Sequence, residues 1–240
     1  MSLVKNKIQK IIQKKKSNLC VSLDYENTDK ILEVCDLVKD YVVMVKIHVD
    51  IIEDFTLEFA KKLKEMCDRS NVLILEDRKF ADIGHIFKKQ FTGGIHRILS
   101  WCHLITMHAL VGPGPLRCFQ ECADLDRQGV LLIKEMSNQG NMLDKLYADK
   151  CVALAQNYPE VVGGFIGQSS SPDTNMLCVM PGVNRVVTQD QADQRYKTPQ
   201  QAIEDGADII IVGRGITASH NPRIEAEIYR RLAWEKYQKQ

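Results

Sequence analysis

The chain has 240 residues with 32 Lys+Arg against 31 Asp+Glu, a formal net charge of +1, and 45% hydrophobic and 26% charged residues. That balance excludes a disordered chain and leaves no basic surface of the kind that nucleic acid or an anionic membrane requires. A chain of this length buries a full core without metal or disulfide staples, and α/β barrels commonly reach it as one unit.

In chain order, the N-terminus spreads lysines among apolar residues, which predicts an amphipathic helix over residues 2–16 rather than a secretory signal. Short apolar runs then recur: Leu19–Leu23, Val42–Ile47, Val72–Leu75, Leu104–Met107, Val130–Ile133, Gly163–Ile166, Leu177–Met180 and Ile209–Val212. Each is too short for a helix and is bounded by polar residues, Gly or Pro. Most intervals between them carry helical periodicity. Phe55, Phe59, Leu63, Met66 and Cys67 fall at helical spacing, and a helix is expected across Met142–Asn157. Thr198-Pro-Gln-Gln201 and Asn221-Pro222 read as helix starts.

Eight continuous apolar runs alternating with helices predict an α/β fold, a (β/α)8 TIM barrel whose parallel strands are covered by helices. One domain is expected over residues 1–240, with residues 1–17 as an extra N-terminal helix over the barrel bottom and 18–240 as the barrel. No apolar run reaches the ~18 residues of a membrane span. The eight cysteines form no CxxC pair; Cys118 and Cys122 share a helix face but have no second ligand pair for zinc. Reduced thiols and a cytoplasmic location are the expectation, with no metal, no nucleic acid and no membrane as partners.

In this fold the chemistry gathers at the C-terminal ends of the strands. Those ends read Asp24; Lys46, His48 and Asp50; Asp77, Lys79 and Asp82; His108; Glu135 and Ser137; Gln168; Pro181; and Gly213-Arg214-Gly215. Charged groups at the mouths of apolar strands are costly unless paired or used. Asp77 and Lys79 share a face of an extended segment, as do Lys46 and His48, so Lys46 is expected to complete an alternating array with the two carboxylates and Lys79. An ammonium held against carboxylates suits proton donation or stabilisation of a carbanion; the bland alternative is a salt-bridge network closing the rim. Gly213-Arg-Gly-Ile-Thr-Ala218 satisfies GxGxxA, but only 22 residues follow Ala218, too few for a further βαβ unit. In a barrel the same glycines and Arg214 read as a phosphate cradle.

Asp77-Arg-Lys-Phe-Ala-Asp-Ile-Gly84, preceded by Lys46-Ile-His-Val-Asp50 and followed by Ile210-Ile-Val-Gly-Arg-Gly215, resembles the eukaryotic type of the orotidine 5′-monophosphate decarboxylase family, from about Lys14 to Tyr237. The resemblance implies a (β/α)8 barrel acting as a homodimer with shared active sites. It implies decarboxylation of orotidine 5′-monophosphate to UMP and CO2 without a cofactor. It further implies a catalytic tetrad of Lys46, Asp77, Lys79 and Asp82, with Lys79 protonating C6 and Asp82 reaching the neighbouring subunit's site. Asp24 and Lys46 match the residues that hold the ribose, Ser137 the serine at the pyrimidine, and Gln194, Tyr196, Gly213 and Arg214 the phosphate grip. A lid is expected between Pro181 and Tyr196.

The chain departs from that pattern at His85-Ile86, where Asn-Thr is usual, at Ala109, at Met180 and across Asn184–Gln194. The missing threonine predicts one lost ribose hydrogen bond, a cost of about 1 kcal/mol. No phosphoribosyltransferase domain precedes the barrel, so a stand-alone or excised decarboxylase is expected. The rival activities are a magnesium-dependent sugar-phosphate decarboxylase sharing the DxKxxD skeleton and a non-catalytic nucleotide-binding homologue.

Overall fold

The structure is a computed structural model that describes residues 3–171, 175–187 and 195–239. Helix α1 (Leu3–Lys15) leads into the first strand, and eight strands follow: β1 (Leu19–Ser22), β2 (Met44–Ile47), β3 (Leu73–Phe80), β4 (Leu104–His108), β5 (Gly129–Ile133), β6 (Val162–Ile166), β7 (Leu177–Met180) and β8 (Ile209–Val212). All neighbours pair in parallel, and Leu19 opposite Ile210 closes β1 onto β8. The expected (β/α)8 barrel is the observed fold.

Helices α2 (Thr28–Val38), α3 (Leu57–Arg69), α4 (Gly84–Thr92), α5 (Gly114–Cys122) and α6 (Lys145–Gln156) follow the first five strands in turn. Helix α7 (Pro199–Glu204) precedes β8, and α8 (Arg214–Thr217) and α9 (Pro222–Tyr237) end the chain. The spacing read across α3 places Phe59, Leu63 and Cys67 in the core, while Phe55 lies before the helix and meets Phe59 edge-on. Thr198 and Gln201 form a full capping box at α7, and Asn221 caps α9 through the Ile224 N–H. Helix α6 starts three residues later than expected because Asp144 accepts the Tyr147 N–H as its N-cap.

Two apolar layers hold the barrel. The outer one packs the helices on outward-facing strand residues such as Val45, Ile74, Ile105, Val130 and Ile210. The inner one joins Met44, Leu73, Leu104, Leu131, Leu177 and Ile209 to Val4, Ile8, Ile11 and Ile12 of α1. Helix α1 therefore plugs the end of the barrel where the strands begin. A Cβ at Gly129, the first residue of β5, would run into Val4, so this glycine is what lets the plug approach. The helix stops at Lys15 because Lys16 takes a left-handed conformation, φ 50°. All eight cysteines are free thiols, and no helix among the described residues is long and apolar enough to cross a membrane.

One strand departs from expectation. The third apolar run stops at Leu75, yet β3 continues through Glu76-Asp-Arg-Lys to Phe80. Hydropathy ends where charge begins, but pairing continues, with the register against β4 shifting between Glu76 and Phe80. The charged residues thus stand on the sheet itself.

Candidate active site

Residues alternate across each strand, so Leu73 and Leu75 in the inner layer put Asp77 inside the barrel and Glu76 outside it. Asp77 is the centre of the rim. Its Oδ2 accepts from Lys79 Nζ at 2.8 Å and from Lys46 Nζ at 3.0 Å. Lys46, 6% exposed, also lies 3.7 Å from Asp24 Oδ1, which Ser22 Oγ holds at 2.7 Å. The array runs Lys79, Asp77, Lys46, Asp24 across β3, β2 and the end of β1. Three members of the expected tetrad are together.

Asp82 is not with them. It lies past the strand end, its Oδ1 capping the Ile83 N–H at 2.8 Å, and lines a separate cavity of about 290 Å³ with Asp50, Arg78, Lys79 and Gln90. Within this chain the second carboxylate of the alternating array is therefore Asp24. The reason is topological: β1 pairs directly with β2, with Ser22 opposite Lys46, whereas Asp82 lies beyond the end of β3.

The electrostatics follow from this packing. Burial would raise the Asp77 pKa, but Lys46, Lys79 and His48 hold it well below the usual carboxylate range. Burial would lower Lys46, but Asp77 and Asp24 outweigh it and keep the ammonium protonated above its ordinary value. His48 is pushed down by burial and by Lys46, so its ring is neutral at pH 7. A neutral ring explains its 2.6 Å contact: an ammonium can only donate, so Nε2 accepts from Lys46.

Thr106 fixes the geometry of Lys79. Its hydroxyl donates to Asp77 Oδ1 at 2.7 Å and accepts the Lys79 N–H at 2.9 Å. Lys79 has a φ of 54°, a left-handed conformation that costs a non-glycine residue about 1–3 kcal/mol. The strain sits where β3 shifts register, and the threonine of the neighbouring strand pins it. Thr106 is a polar residue inside an apolar run, two positions before His108 on one strand face; that interruption was the available sequence signal. The sequence shows His48 only as a strand-end residue on the face of Lys46.

On the far side of the mouth, a cavity of about 200 Å³ is lined by Asp24, Lys46, Ser137, Pro181, Tyr196, Gly213 and Arg214 among others. The Arg214 guanidinium donates to Tyr196 Oη at 2.5 Å. Gly215 has no room for a Cβ, which would run into Tyr229 Oη, itself the acceptor of the Arg185 N–H at 2.9 Å. Gln194 lies outside the described residues. A larger cavity of about 720 Å³ between α6 and residues 169–171 adjoins none of the array; its volume reflects an open groove rather than the chemistry. Among the described residues no group of three or more His, Cys, Asp or Glu could hold a metal ion.

A (β/α)8 barrel carrying an alternating ammonium–carboxylate rim at its strand C-termini, with an Arg–Tyr pair across the mouth, defines a barrel enzyme. The chain belongs to the orotidine 5′-phosphate decarboxylase / HUMPS family, whose model matches residues 17–229. It is 41% identical over 96% of its length to uridine 5′-monophosphate synthase of Bos taurus, of which it spans 48%. It is 39% identical to orotidine 5′-phosphate decarboxylase of Aureobasidium pullulans, covering 99% of this chain and 89% of that one. Among solved structures, the Methanocaldococcus jannaschii orotidine 5′-monophosphate decarboxylase complexed with the inhibitor BMP aligns with a TM-score of 0.70 at 25% identity, covering 90% of this chain and 98% of that one.

Proposed function

We propose that the chain decarboxylates orotidine 5′-monophosphate, releasing CO2 and leaving UMP, the last step of UMP synthesis. The C6–carboxylate bond breaks, its electron pair stays on C6, and Lys79 delivers the proton that replaces CO2. The observation that carries this reading is the Lys79–Asp77–Lys46–Asp24 array, in which an ammonium is fixed 2.8 Å from a buried carboxylate. An sp2 carbanion at C6 has little delocalisation, so stabilisation comes from a positive charge already in place where negative charge develops. Asp77, kept ionised by its neighbours, restrains Lys79 and crowds the substrate carboxylate; loss of CO2 relieves that repulsion.

Asp24 and Lys46 would hold the ribose, Ser137 the pyrimidine, and Tyr196, Gly213, Arg214 and Gln194 the phosphate. Binding energy from the phosphate, remote from C6, can then serve the chemical step. The proposed working unit is a homodimer in which Asp82 joins the neighbouring site. Its carboxylate accepts the Ile83 N–H rather than joining the ion pairs of Lys46 and Lys79, which supports this, as do exposed Ile51, Ile83 and Leu110 following the adjacent strands β2, β3 and β4. We further place the chain in the cytoplasm as one domain.

The test is the ultraviolet absorbance of orotidine 5′-monophosphate with purified protein and EDTA, with Lys79→Ala as control. Conversion to the uracil spectrum that the chelator leaves intact and the variant loses supports the reading. A folded protein that binds UMP but never converts the substrate overturns it, and turnover abolished by EDTA points to the metal-dependent branch.

A further inference from the structure

Both ends of the segment carrying Tyr196 are tied to one residue. Gln168, just past β6, donates from its side-chain Nε2 to Pro181 O at 2.9 Å, and its own carbonyl accepts from Lys197 Nζ at 2.8 Å. Pro181 opens the segment and Lys197 closes it. The two legs also pair with each other, Lys197 N donating to Gly182 O and Asn184 N to Lys197 O, each at 2.9 Å. Tyr196, the neighbour of Lys197, receives the Arg214 guanidinium.

Two consecutive residues just past β5 grip Gln168 and the turn that follows it. Glu135 Oε2 accepts the N–H groups of Gln168 at 2.6 Å and Ser169 at 3.0 Å. Lys134, 4% exposed, donates to Ser169 O at 2.8 Å, Ser171 Oγ at 3.0 Å and Ser170 O at 3.3 Å. The carboxylate takes the turn's N–H groups and the ammonium takes its oxygens. A buried lysine is costly unless its protons are all placed, and here they are. Together they anchor the turn after β6 from residue 168 to residue 171.

We propose that Gln168, held by Glu135 in a turn that Lys134 also anchors, is a positioning residue for the phosphate end of the site, setting Tyr196 against Arg214. The proposal rests on the decarboxylase reading for its substrate, but its effect is on phosphate affinity whatever the turnover. Gln168→Leu keeps the bulk and removes the Pro181 tie. The KM for orotidine 5′-monophosphate and the Kd for UMP, by calorimetry, are expected to rise about five- to tenfold, the loss of one hydrogen bond. By contrast kcat, and kcat/KM for orotidine, which lacks the phosphate, should stay within about twofold. Glu135→Gln should shift the same way by less.

A merely structural role would weaken UMP and orotidine alike, and that result, or no change in either, overturns the proposal. Should Gln168→Leu fail to fold, Lys197→Met, which removes the outer tie together with an ion pair to Asp205, must give the same split. If wild-type protein binds UMP without turning over substrate, the decarboxylase reading fails while the contrast between UMP and uridine binding still decides the role of Gln168.

Discussion

Replacing Thr106 by valine changes one hydroxyl for a methyl group at the point where β4 meets the strained part of β3. The hydroxyl donates to Asp77 Oδ1 at 2.7 Å and accepts the Lys79 N–H at 2.9 Å. The bond to the ionised carboxylate is worth about 1.5–3 kcal/mol, and the neutral bond about 1 kcal/mol. Stability should therefore fall by about 2.5–4 kcal/mol, a large part of the 5–15 kcal/mol typical of a domain. Catalysis should suffer separately. Without its N–H anchor Lys79 can leave its φ of 54°, and a displacement of about 1 Å at a reacting group can cost on the order of 100-fold. Urea unfolding measures the first effect and the absorbance assay the second. Thr106→Ser, which restores the hydroxyl, should recover most of kcat. A Thr106→Val protein whose kcat stays within twofold of wild type would refute the claim that this hydroxyl sets the Lys79 geometry.

Three further outcomes follow from the same contacts. Glu76 is fully buried on the outer face of β3, accepts only the Val49 N–H, at 3.3 Å, among the described residues, and is pushed well above the carboxylate range by burial. It favours the folded state fully below the ordinary Glu pKa of about 4.3, and that contribution is lost as pH rises toward its folded value. Glu76→Gln should therefore flatten the decline in thermal stability as pH rises above the ordinary Glu range, and an unchanged decline counts against a neutral Glu76. Asp77 has the opposite sign: burial is outweighed by Lys46, Lys79 and His48, so its contribution is present above the ordinary Asp range of about 3.9 and lost as pH falls toward its lower folded value. Asp77→Asn should show a shallower acid limb than wild type in unfolding experiments. Gly215→Ala drives a methyl group into Tyr229 Oη, which should cost about 1–3 kcal/mol by denaturation and raise KM for the phosphate-bearing substrate; a silent substitution would show that the approach is not tight.

The sequence alone determined the architecture, because its signals are local. Continuous apolar runs such as Val130–Ile133 mark strands buried on both faces, and a Thr-Pro-Gln-Gln stretch caps a helix whatever surrounds it. It also determined the composition of the rim, since two-residue spacing puts Asp77 and Lys79 on one face before any neighbour is known. Tertiary structure decided which charges meet. The pairing of β1 with β2 made Asp24, not Asp82, the further carboxylate of the array within this chain, and register made one of two adjacent acids, Asp77, an ionised hub and the other, Glu76, a buried acid. It also carried β3 five residues past its apolar run and gave Thr106, Gln168 and Lys134 partners from other strands. These contacts join residues 13 to 37 positions apart, and periodicity cannot show them. Strand order fixes which side chains are neighbours, and burial then decides which of them stay charged.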